Sequence, residues 1–208
     1  MGTKERRERE REGTRDRIVD AAREMFADAG IDAVTMRAIA DRIEYTPTAI
    51  YHHFRDKQAL IAELCDRDYR ALAHHFQRIG RIDDPVERLR ALGIAYAEFA
   101  LTHPNHYRFM FMTPKVAEHP QLDSDKGNPE EDAYERVRQT VADGIAAGRY
   151  RAEFTSVDQL AQIAWASVHG VVSLHIAKHD DKWIAWADPR QSVRLMVDAL
   201  IRGIVRDA

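Results

Sequence analysis

Between residues 35 and 57 the chain gathers side chains suited to contacting nucleic acid: Thr35, Tyr45, Thr46, Pro47, Thr48, Tyr51, His52 and Lys57. Threonine and tyrosine hydroxyls donate, accept, or (for threonine) set a methyl against thymine. A short helix opening with such groups can present them to base edges in a major groove. Tyr51, His52 and Lys57 can reach phosphate oxygens, contacts that position a protein without reading sequence. Capping competes for some of these positions. Thr35, Thr46 and Asp56 are natural helix N-caps, whose oxygens satisfy orphan backbone N–H groups, and for Asp56 capping is a sufficient role.

A second group is aromatic and sulfur-bearing. Tyr107, Phe109, Met110 and Phe111 share one short segment, and Trp165 and His169 stand four apart. With a few polar neighbours such as Asn105 and His106, they suit the lining of a small-molecule pocket; the same residues serve equally as plain core. A third group is His175 and His179 with Asp180 and Asp181 behind them, an i, i+4 histidine spacing that a metal could use. No third ligand joins them at helical spacing, and the chain has no H-E-x-x-H, G-x-S-x-G or phosphate-binding glycine loop. A solvated helix end, where histidine favours the negative pole of the dipole, accounts for them. Neither metal, cofactor nor enzymatic activity is expected.

The elements that must position these groups read as helices throughout. Alternating β-branched runs are absent, while apolar residues recur with period 3.6 between capping signals. The first helix is expected from about Thr14, burying Ile18, Ala21, Ala22, Met25 and Phe26 and ending at Gly30. Thr35 opens a second with Met36, Ile39, Ala40 and Ile43 inward, and Thr46-Pro47 opens a third as far as His53, with proline at the position where a missing N–H costs nothing. A long helix from Asp56 to about Ile79 follows, then helices from Pro85 to Thr102 and from Pro104 to Met112, a loop over Thr113–Pro129, and helices at about 130–147, 156–178 and 188–206.

The 208 residues suffice for a substantial core, and 45% hydrophobic with 31% charged residues is a globular composition, not a disordered one. The longest wholly apolar runs are only a few residues, too short to span a bilayer. The Arg/Glu-rich stretch before Glu12 has no apolar segment of the signal-peptide kind. Cys65 is the single cysteine, which excludes an internal disulfide and suits a reducing cytoplasm. Net charge is −3, and residues 1–60 carry equal numbers of basic and acidic side chains. Composition therefore makes no case for a nucleic-acid partner, and that case rests on motif geometry.

The order Gly30, Thr35-Met36-x-x-Ile39-Ala40, Thr46-Pro47-Thr48-Ala49-Ile50-Tyr51-His52-His53-Phe54 and Asp56-Lys57-x-x-Leu60 resembles the DNA-binding domain of the TetR family over residues 14–62. One departure is Glu44-Tyr45, where the family commonly has glycine or a small polar residue in the turn before the recognition helix. Farther on, His103 to Phe111 and Trp165-Ala-Ser-Val-His169-Gly170 resemble the sensor domain of a TetR subgroup named for its Trp-His-Gly signature.

The resemblance implies an all-α chain with a three-helix helix-turn-helix domain, joined by a long helix to a helical ligand-binding and dimerisation domain. The expected divisions are an arm over 1–13, the DNA-binding domain over 14–62, and the sensor over 63–208. It implies a cytoplasmic transcriptional regulator, a repressor released from a palindromic operator by a largely apolar small molecule, with no membrane partner. The alternative is a DNA-binding regulator without an inducer. The last two helices carry more apolar surface than one domain readily covers. Pairing with a second copy would bury it, with Val171, Leu174, Val193, Met196, Leu200 and Ile204 as the expected homodimer interface.

Overall fold

A computed structural model describes residues 3–113 and 127–206. Among these, every regular element is helical apart from one isolated antiparallel bridge between Tyr150 and Val205. Helix α1 spans Thr3–Ala29. It begins well before Thr14, because Gly13 alone does not stop a helix of arginines and glutamates reinforced by the i, i+4 pair Arg6–Glu10 at 3.5 Å. Thr14 is accordingly no cap; its hydroxyl donates back to the Glu10 carbonyl at 2.9 Å. The helix ends as expected, at Gly30 with φ +82°, a left-handed conformation that costs glycine nothing.

Helix α2 (Met36–Arg42) is capped by Thr35 and α3 (Pro47–Tyr51) by Thr46 with Pro47 at its first turn. Helix α4 spans Lys57–Gln77, with Asp56 accepting the Ala59 N–H at 2.7 Å. Helix α5 (Pro85–Thr102) is capped by Asp84, and α6 (Pro104–Tyr107) runs on into a wider π turn over Arg108–Met112. Most of the expected loop over Thr113–Pro129 lies outside the described residues. Helices α7 (Ala133–Ala146), α8 (Val157–Lys178) and α9 (Pro189–Ile204) follow, capped by Asp132, Ser156 and Asp188.

Packing divides the described chain into two units, residues 3–68 with 105–113, and residues 69–104 with 127–206. The break expected after residue 62 thus falls after Asp68, within α4, and the α6 segment joins the first unit. Phe109 explains that assignment: it is fully buried and stacks on Phe26 of α1 with ring centroids 6.0 Å apart. The rest of this core comes from Ile18, Ile39, Ile50, Phe54, Leu60 and Leu64.

In the second unit α5 packs against α7, α8 and α9 around Leu92, Phe99, Val141, Leu160, Val172 and Val197. Gly144 of α7 lies so close to the Tyr150 ring that a Cβ there would come within 2.4 Å of it. Two expected interface residues belong to this core. Val193 is 1% and Ile204 2% exposed within the single chain, which leaves neither a side-chain surface for a second copy. The register of α9 instead turns Leu195 outward, 61% exposed, and that of α8 turns out Leu174, 58% exposed. Val171, Met196 and Leu200 are half-buried. Helix α8 is long and apolar enough to cross a membrane by length and composition, yet its Leu160, Val168, Val172 and Ile176 are buried against the rest of this unit.

Candidate nucleic-acid interface

The turn between α2 and α3 depends on one unusual backbone conformation. Glu44 has φ +60°, the left-handed region where a side chain costs about 1–2 kcal/mol. The position therefore adopts the geometry that glycine would, and Glu44-Tyr45 preserves the turn. The Tyr45 N–H donates to the Ala40 carbonyl at 2.9 Å. Arg17 of α1 holds the turn from outside, donating to the Ile43 carbonyl at 3.2 Å and to the Tyr45 hydroxyl at 3.3 Å, with its guanidinium 5.1 Å from the Tyr45 ring centroid.

With the turn held, α3 shows one face to solvent. Ile50 is fully buried, whereas Thr46, Thr48, Tyr51 and His52 are exposed and Pro47 and Tyr45 half-buried. Thr46 accepts the Ala49 N–H at 3.3 Å, and Thr35, also exposed, accepts the Ala38 N–H at 3.1 Å. Capping and contact are compatible, because a hydroxyl that accepts one bond still has its own proton to donate. Arg37 adds an exposed cation on α2.

The far end of α3 is fixed by Arg15, which donates to the His53 carbonyl at 2.8 Å, pairs with Glu63 at 3.0 Å and covers the Phe54 ring at 4.2 Å. That pairing, opposed by burial and joined by Arg67, holds the Glu63 carboxyl below its ordinary range. Burial lowers the affinity of His53 for a proton, and the Arg15, Arg11 and His52 charges lower it further. Lys57 is a staple: its ammonium donates to the Ile31 carbonyl and, at 2.6 Å, to the Val34 carbonyl, tying the α1–α2 loop to the start of α4. One of its three donors remains for another acceptor. The clamping roles of Arg15 and Arg17 carry no local sequence signal, since both read as surface charges until the helices are packed.

Behind this surface lies a buried polar cluster. Asp68 of α4 is fully buried and takes the Arg23 guanidinium of α1 at 2.8 Å, while His106 Nδ1 of α6 lies 3.0 Å from the same carboxylate. Burial opposes the charge of Arg23, but Asp68 and Asp20 together outweigh it and raise its pKa.

The aromatic groups fall in different units. Tyr107 and Phe109 are fully buried in the first, where the Tyr107 and Phe111 ring centroids are 5.1 Å apart, and Met110 is buried beside them. Trp165 and His169 are in the second. The Trp165 ring lies 5.8 Å from both Tyr134 and His169, and His169 Nδ1 shares a 2.8 Å hydrogen bond with the Tyr96 hydroxyl. Burial keeps the His169 pKa below its ordinary value. The His175 and His179 rings are 5.7 Å apart, and His179 lies 3.2 Å from Asp180. Among the described residues no three metal-ligating side chains converge.

Residues 18–64 match the family of bacterial regulatory proteins, tetR family, and residues 89–200, more than half the chain, match the Tetracyclin repressor-like C-terminal domain. The chain belongs to the TetR family. This TetR-family protein is 36% identical over 101 residues to the HTH-type transcriptional regulator UidR of Escherichia coli K12, covering 45% of each chain. The match thus spans under half the length of that relative. It is 31% identical over 143 residues to the HTH-type transcriptional repressor KstR2 of Mycolicibacterium smegmatis, covering 66% of this chain and 67% of KstR2. The solved structure of the ketosteroid transcriptional regulator KstR2 of Mycobacterium tuberculosis shares the TetR fold, with a TM-score of 0.71 and 20% identity over 93% of this chain and 96% of that one.

Proposed function

We propose that this TetR-family protein is a sequence-specific transcriptional repressor that binds a palindromic operator as a homodimer and is released by a small, largely apolar ligand. The observation that carries the reading is the α2–α3 unit itself. A left-handed Glu44 and two threonine caps hold a short helix with Thr46, Thr48, Tyr51 and His52 outward. Thr46, Pro47, Thr48 and Tyr45 are placed to meet base edges, and Thr35, Tyr51, His52 and the third donor of Lys57 to meet phosphates.

The dimer is the reading of the exposed apolar stripe. Ile163, Gly170 and Leu174 share one face of α8, and Leu195, Ala199 and Gly203 one face of α9. A Cβ at Gly170 or Gly203 would meet nothing within 4 Å, so the backbones there are open to close approach by another helix. Val171, Met196 and Leu200 flank the stripe. Two such pairs form a four-helix interface with two-fold symmetry, which matches a palindromic site with half-sites about 34–36 Å apart. For the ligand, Trp165 and His169 with Tyr96 and Tyr134 supply an aromatic wall and a polar handle within the second unit, in keeping with the Trp-His-Gly signature. Tyr107, Phe109, Met110 and Phe111 act through the first, as packing against α1. A cytoplasmic location follows from access to the chromosome.

Selection from a random duplex library tests the reading directly. The chain should return a palindromic consensus, and Thr48→Ala should change it at a few positions. Leu174→Glu with Leu195→Glu should yield a folded monomer at micromolar concentration, measured by sedimentation. Recovery of no consensus by the wild-type chain would overturn the DNA-binding reading, and a variant that stayed dimeric would move the interface elsewhere. Trp165→Ala should abolish the response to any compound that raises the melting temperature, without altering operator affinity.

A further inference from the structure

The first turns of α1 have a register that composition hides. Residues 4–13 are all exposed and nearly balanced in charge. At 100° per residue, however, Lys4, Arg7 and Arg11 fall on one stripe that continues into Arg15, bordered by Glu8 on one side and Glu10 on the other. Arg6 lies on the opposite side, spent on its pair with Glu10. Among the described residues Lys4, Arg7 and Arg11 make no ion pair.

The stripe has a defined direction, because Arg15 is bonded to the last carbonyl beyond α3 and stacked on Phe54. Arg11, one turn away, is near enough to His53 for its charge to disfavour protonation there. The cationic row therefore leaves the end of the recognition helix at His53 and extends away from it. From Arg15 to Lys4 the helix rises about 16 Å, a length over which one DNA strand presents on the order of five phosphates.

We propose that Lys4, Arg7 and Arg11 form a second, sequence-independent contact row that lies along the phosphate backbone of duplex DNA beside the segment read by α3. The inference rests on the DNA-binding reading above. Continuity with α3 and opposite charge favour the backbone over any other acidic partner. The interspersed Glu5, Glu8, Glu10 and Glu12 keep the arm from holding DNA indiscriminately, so the row acts where α3 has already docked.

The test is the salt dependence of binding by the full chain to its selected operator and to a random duplex. Arg7→Gln with Arg11→Gln should weaken both duplexes and leave the selected consensus unchanged. It should also reduce the slope of log K against log[salt] by about 0.9 for each phosphate no longer neutralised, roughly 3.6 for a dimer that leaves four phosphates bare. Arg7→Lys with Arg11→Lys should restore the slope, and Arg6→Gln with Arg9→Gln, which removes the same charge from the other sides of the helix, should leave it unchanged. An unaltered slope in the first variant overturns the proposal, and so does an equal fall in both Gln variants, which would show a general charge effect. If the slope is unaltered while Thr48→Ala still changes the consensus, this inference fails and the DNA-binding reading stands; if the wild-type chain binds neither duplex, both fail.

Discussion

In the first unit a carboxylate, Asp68, is fully buried and held by Arg23 with His106 beside it, while in the second two leucines, Leu174 and Leu195, stand out from their helices into solvent. The first unit buries one ion pair and shows hydroxyls, imidazoles, guanidinium groups and carboxylates outward. Its core is closed by its own chain, and only the hydroxyls and cations of the α2–α3 surface are suited to a polyanion. The second fills its core with Val193, Val197, Ile201 and Ile204 and still has apolar side chains in surplus. In the proposed dimer this exposed stripe is covered by a second copy. Under the proposed function the first unit is a self-contained reading head and the second a body completed by a second copy.

That contrast can be broken most forcefully at Asp68. Replacing it with alanine leaves the buried Arg23 only its pair with the exposed Asp20, at a cost of up to about 3–5 kcal/mol, read as a lower midpoint in urea unfolding. A loss under 1 kcal/mol would mean that the cluster is wet and that the first unit is not closed by charge. The second unit has its own sensitive point in Gly144→Ala, whose new Cβ meets the buried Tyr150 ring. Overpacking there should cost about 1–3 kcal/mol and lower the melting temperature without changing the operator consensus.

A smaller effect of opposite sign is expected in the turn. Glu44→Gly removes the left-handed strain, partly offset by the greater freedom of glycine in the unfolded chain, for a net gain of about 0.5–1 kcal/mol. A loss would show that the Glu44 side chain contributes contacts of its own. The smallest concerns Glu63. Because its carboxyl is held below the ordinary value, its contribution is complete above the usual glutamate range and disappears as pH falls through the depressed folded value. For a partly exposed pair it amounts to about 0.5 kcal/mol. Unfolding of the wild type and Glu63→Gln should therefore differ slightly at pH 7 and converge in acid; a difference that persisted in acid would show that packing, not charge, is lost.

Much of the reading head was legible because its signals are local. Thr35 and Thr46 cap the helices they were expected to cap, Pro47 sits at a first turn, and Gly30 ends α1, since each involves backbone groups within four residues. Arg15 and Arg17 were missed because their partners, His53, Glu63, Ile43 and Tyr45, are separated from them by some 26–48 positions. Lys57 was expected on phosphate, and the tertiary structure adds its two carbonyl bonds.

From the sequence alone came the all-helical class, the order of the helices and the helix-turn-helix, because period, caps and turn residues act within one or two turns of chain. Which side of α9 stays exposed required the tertiary structure. Val193 and Leu195 are two apart and equally apolar, yet one is sealed in the core and the other is open to water. A broad apolar helix face does not say which of its edges the chain itself covers; only the rotation of α9 against α5 and α8 settles that. The same holds for the charged turns of α1, where arginine and glutamate cancel in composition and only a continuous helix sets Lys4, Arg7 and Arg11 on one side.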